Sequence, residues 1–102
     1  MNARDAEHLL LDRCLQAATG QSAHAVDARE AHQWRVAAAL LRGPQPDAAG
    51  RLSRAAEAFF RTHPQERTVS TADLVRRGWI ESLPRLRDML LARLERQPDA
   101  RA

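Results

Sequence analysis

Residues Asp47 to His63 read DAAGRLSRAAEAFFRTH, and wound at about 100° per residue they place Ala48, Ala49, Leu52, Ala55, Ala56, Phe59, Phe60 and His63 on one side. That spacing specifies an amphipathic helix. The same pattern recurs on both sides of it. Leu10, Leu11, Cys14, Leu15, Ala17 and Ala18 form one stripe. Ala31, Trp34, Ala38 and Leu41, broadened by Val36 and Leu40, form a second, and Leu83, Leu86, Met89, Leu90 and Leu94 form a third. No strand-like alternation of useful length occurs, so the expected fold class is all-α, a small bundle of four to five helices.

Breaks between the stripes set the expected boundaries. The first helix is expected from about Ala3 to Thr19, stopping at Gly20, which supplies the left-handed conformation common just past a helix end. Ser22 or Asp27 can start the second, and Asp27 with Glu30 has the spacing of a capping box. Gly43-Pro44 stops it. The connection Pro44 to Asp47 is short, so helices 2 and 3 should form an antiparallel hairpin, with Asp47 as the cap of helix 3 and Trp34 facing the Phe59 and Phe60 region or a neighbouring layer. His63 and Pro64 close helix 3, and Gln65 to Ser70 reads as a linker. Ser70 or Thr71 caps a short helix over Ala72 to Arg77 that ends at Gly78, after which Trp79 and Ile80 are expected to turn inward. Ser82 caps the last helix, Pro84 sits in its first turn, and Pro98 to Ala102 is expected to fray. The expected organisation is one domain over 1–102, with a three-helix front part (1–64), a two-helix back part (70–97) and the tail.

Composition bounds how firmly such a bundle holds. Of 45 apolar residues among 102, 20 are alanine, leaving 25 side chains large enough to fill an interior. Alanine specifies helix well and buries few methyl groups. A second copy or a protein partner is therefore expected to complete part of the apolar surface. The basic residues are 16 arginines against 13 acids, a net charge of +3 without the dense block of like charge that marks a nucleic-acid or membrane-binding tail. The excess is confined to residues 61–102, which hold nine arginines and six acids, whereas 1–60 holds seven of each. The lack of lysine beside so much alanine, arginine and leucine reads most simply as coding bias. Cys14 is alone, so no internal disulfide forms, and a buried thiol in a reducing compartment is expected. Neither a signal-peptide core nor an apolar run of membrane-spanning length is present, which leads to an expected bacterial, cytoplasmic setting without membrane association.

Chemistry-bearing residues are scattered. His8, Cys14, His24, His32 and His63 lack the close paired spacings of a zinc site, and solvated or capping histidines are the simpler reading, with His63 placed to meet the negative end of the helix 3 dipole. The four glycines stand singly, Gly20, Gly43 and Gly78 at expected helix ends and Gly50 within helix 3, so no phosphate-cradling loop is visible. No catalytic residue, metal or cofactor is expected, and the chain reads as a non-enzyme.

Two resemblances add to this reading. Thr71 to Leu94, a short helix, a glycine turn and a longer amphipathic helix, resembles a helix-turn-helix in outline, with Gly78 at the turn and Pro84 where the recognition helix usually carries an apolar residue. That resemblance implies a DNA-binding regulator using 70–97, with Arg76, Arg77, Arg85, Arg87 and Arg93 as the nucleic-acid contacts, joined by Arg96. Asp73, Glu81 and Asp88 are spaced to neutralise several of them. The hairpin Trp34 to Pro64 is similar in geometry to a tetratricopeptide unit, which implies a helical surface that holds a peptide or partner helix. The leading expectation is a helical protein–protein interaction module, an adaptor, chaperone or assembly subunit, with Leu83, Leu86, Met89, Leu90 and Leu94 as the set that faces the partner or a second copy, the alternative being that the same stripe packs into the chain's own core.

Overall fold

A computed structural model describes residues 12–21, 24–79 and 83–96, with backbone only at 83 and 86. Among these residues all regular structure is helical. Helix α1 covers 12–18, α2 Ala28–Leu41, α3 Pro46–Thr62, α4 Thr71–Arg76 and α5 Leu83–Arg96, with a 3-10 turn at Pro64–Thr68. The expected start at Ala3 lies outside the described residues, as do Leu10, Leu11, His8, Ser22, Ile80, Glu81, the Ser82 cap and the Pro98 to Ala102 tail.

Glycines and caps end the elements as local chemistry dictates. Gly20 (φ +88°) and Gly78 (φ +74°) both occupy the left-handed region. After Gly20 the amides of Gly20 and Gln21 donate back to the carbonyls of Ala17 (3.4 Å) and Gln16 (3.0 Å), and after Gly78 those of Gly78 and Trp79 donate to Val75 (3.0 Å) and Leu74 (2.9 Å). Each is a Schellman closure. Asp27 caps α2 by accepting the Glu30 amide at 2.9 Å, and Ser70 caps α4 by accepting the Asp73 amide at 3.1 Å. The expectation for Asp47 is corrected. The cap of α3 is Gln45, with no side-chain bond, and Pro46 opens the helix because its missing amide costs nothing there, leaving Asp47 in the first turn. The stretch expected as a linker after Pro64 is itself a turn of 3-10 helix.

The α2/α3 hairpin is the principal packing, and α5 lies on α2. Cys14, Leu15, Ala17 and Ala18 of α1, Ala31, Trp34, Ala37, Ala38 and Leu41 of α2, Leu52, Ala56 and Phe60 of α3, and Leu90 of α5 share one core. Leu90 of the back part is thus buried with the front helices. Helix α2 differs most from its expected stripe, because every residue from Glu30 to Trp34 is buried. Between the exposed Arg29 and the half-buried Arg35 that run is enclosed, and three polar side chains go in with it.

Candidate partner-binding groove

Burying Glu30, His32 and Gln33 is costly unless each finds a partner. Glu30 is met by Arg13 of α1, whose Nε donates to Oε2 at 2.5 Å and whose Nη2 donates to Oε1 at 2.8 Å, a fork-on-fork pair. The same Nη2 donates to the His24 carbonyl at 2.7 Å, and the Val26 amide donates to Glu30 Oε1 at 2.9 Å. Glu30 therefore reaches back as in a capping box, but to the residue before the cap. Residues 24 to 26 are pinned to α1 and α2 by a single ion pair whose carboxylate side is almost wholly enclosed.

His32 corrects the solvated or capping expectation: it is 0% exposed. Its Nε2 donates to the Glu66 carbonyl at 2.9 Å, and its Nδ1 faces Arg35 Nε and Nη2 at 3.4 and 3.3 Å, so the ring sits as the neutral Nε2–H tautomer. Burial, followed by the Arg35 charge, holds it below the ordinary histidine value. Gln33 Nε2 donates to the Trp79 carbonyl at 2.8 Å, while its Oε1 has no partner among the described residues. Cys14 has the buried thiol expected of it. Burial, and then Glu30, pushes its pKa up to about 12, which removes it as a nucleophile at neutral pH.

The pinned stretch 24 to 28 forms one wall of an open groove of about 610 Å³ whose other wall is the end of α3, with Ala55, Ala58, Phe59, Thr62 and His63, and whose floor is reached by Glu66. Val26 is 72% exposed within it, whereas an apolar residue at this position before a helix cap usually folds back onto the first turn. Opposite, Phe59 is half-buried and stacked on His63, with ring centroids 4.2 Å apart and planes 5° from parallel. His63 is at the C-cap of α3, the place expected for it, and its amide donates to the Phe59 carbonyl at 3.0 Å. Glu66 Oε2 is enclosed and has no hydrogen-bond partner among the described residues.

The residues expected to contact a partner behave differently. Leu90 is 0% exposed in the internal core, so the expectation that it faces outward is corrected: α5 turns it onto α2. Met89 and Leu94 are half-buried against the same core, and the side chains of Leu83 and Leu86 are outside the described ones. Most arginines of the helix-turn-helix outline have partners within the chain. Arg76 pairs with Asp73 as its spacing implies, Arg87 with Asp88 at 2.9 Å, and Arg93 with Asp12 of α1 at 3.6 Å, while Arg77 lies over Trp79, 4.8 Å from the ring centre. Arg85 is exposed on α5. Among the described residues α5 packs on α2 rather than on α4, unlike the paired helices of that motif.

The groove residues His24, Val26, Thr62 and Glu66 were outside every expectation drawn from the stripes. The available signal was Val26 itself, an apolar residue just before the Asp27 cap. Among the described residues no group of three His, Cys, Asp or Glu side chains could hold a metal ion, and no helix is long and apolar enough to cross a membrane. No family model, curated protein or solved structure matches the chain.

Proposed function

We propose that the chain is a non-catalytic helical interaction module whose groove between residues 24–28 and 55–66 receives an apolar helix of a partner protein. The observation that carries this reading is Val26, held out at 72% exposure by a backbone that Arg13 and Glu30 tie down. An apolar side chain on a pinned backbone is pre-organised, so covering it gains about 1 to 2 kcal/mol without the cost of ordering the loop. Phe59 and the alanines at 25, 28, 55 and 58 supply the remaining apolar wall. Asp27 and Glu66 favour a partner that brings a basic residue or a hydrogen-bond donor alongside its apolar anchors. An apolar wall beside the end of a helix suits helix-in-groove recognition. Adaptor, chaperone and assembly subunit are all uses of such a surface.

Binding of duplex DNA by the back part has less support, because Arg76, Arg87 and Arg93 each meet an acid of the chain itself.

A photo-reactive residue placed at position 26 in the native cell tests the groove, with position 75 as control, since Val75 is also apolar and 60% exposed but lies on α4. A discrete adduct from position 26, cross-linked through an amphipathic helical peptide and absent from position 75, is expected. Equal adducts at both positions, or none at 26, would contradict the reading.

A further inference from the structure

The ring of His32 joins α2 by a hydrogen bond to the 3-10 turn, which packs on α3, and the carbonyl it holds is shared. Glu66 O accepts both His32 Nε2–H at 2.9 Å and the Val69 amide at 3.3 Å, so one acceptor fixes both the side chain and the exit of the turn. Around the ring, Phe60 of α3 lies 4.9 Å away between centroids and Trp79 6.4 Å away. The vacant position for a second proton is Nδ1. It faces the guanidinium of Arg35, a group with donors only.

We propose that His32 is an acid-sensitive latch: neutral, it clamps the Pro64–Thr68 turn onto α2, and a proton on Nδ1 releases that turn.

A second proton turns Nδ1 from acceptor to donor, so the contact with Arg35 becomes donor against donor and charge against charge. It also places an ion in a fully enclosed site. The charged groups that act on the ring are Arg35 from its own helix, Glu66 from the turn and Arg77 from the end of α4. Burial and then Arg35 oppose the proton most, with Arg77 adding to them; the bond to the Glu66 carbonyl, which Nε2–H keeps in either state, and the Glu66 charge favour it, and the balance is against it. The sign follows. A histidine lowered on folding contributes its stabilisation above the ordinary value of 6.5 and loses it as pH falls through the lowered folded value. The latch is closed at neutral pH and opens in acid, whether or not a partner fills the groove.

The direct readout is hydrogen exchange at the Val69 amide, expressed as protection after correction for intrinsic exchange, between about pH 7.5 and about pH 5. Protection should fall by about tenfold for each pH unit by which the folded value lies below the ordinary one, up to the roughly thirtyfold that a lower limit near pH 5 allows. His32→Gln keeps a donor for Glu66 and an acceptor for Arg35 but does not titrate, and its Val69 protection should be flat across the range. If that variant does not fold, Arg35→Met removes the opposing cation, and the His32 midpoint, followed by imidazole NMR, should rise towards 6.5. Unchanged Val69 protection in the native chain would overturn the latch. So would an acid response retained in His32→Gln, or a midpoint unmoved by Arg35→Met.

Discussion

Arg13 is the residue on which the groove depends. Its guanidinium bridges the Glu30 carboxylate and the His24 carbonyl, so one side chain of α1 sets the position of the stretch that carries Val26. Arg13→Met keeps the stem and removes the fork. We expect a loss of about 2 kcal/mol in denaturant unfolding, below the cost of breaking a fully buried pair because the Arg13 side chain is 34% exposed, together with faster exchange at the Val26 amide. Cys14 provides an independent check on core closure. With its thiol pushed up to about 12, it should react with a disulfide reagent at neutral pH only as fast as the chain unfolds, and addition of denaturant should restore the rate of a free thiol. Rapid labelling of the native chain would show that α1 does not cover the core.

At the scale of elements, the glycines separate what is conformational from what is spatial. Gly20 has φ +88°, and an added Cβ would come within 3.4 Å of Arg51 Nε, whereas at Gly43 nothing lies within 4 Å and the backbone is not left-handed. Gly20→Ala should cost roughly 1 to 2 kcal/mol. Gly43→Ala should leave the thermal midpoint unchanged or raise it slightly by restricting the unfolded chain. These stops, with the Asp27 and Ser70 caps and the stripe of α3, were legible in the sequence because each depends on residues within a few positions. The cap of α3 was misplaced because Pro46 and Asp47 both signal a helix start, and the proline takes the first position without needing a side-chain cap. Leu90 was misassigned for a different reason: a stripe of leucines has the same spacing whether it faces a partner or α2.

Across the whole molecule, what the sequence hid is long-range. Arg13 and Glu30 are 17 positions apart, His32 and Glu66 34, and Gln33 and Trp79 46, so no local pattern signals that three polar residues of α2 are buried. The buried Glu30, His32 and Gln33 stand beside Arg29 and Arg35, which do reach solvent, so polarity alone does not separate the enclosed side chains from the exposed ones. The groove is a product of the same long-range contacts. It exists because the entry to α2 is tied to α1 and placed beside the end of α3. A surface formed in this way should bind as a unit, which makes the footprint of the partner captured at position 26 the decisive measurement. When that partner is titrated into the isotope-labelled chain, amide shifts should concentrate at residues 24–28 and 55–66, with Val26 and Phe59 among the largest. Shifts centred instead on Met89 and Leu94 of α5, or on the arginines of α4 and α5, would contradict the account.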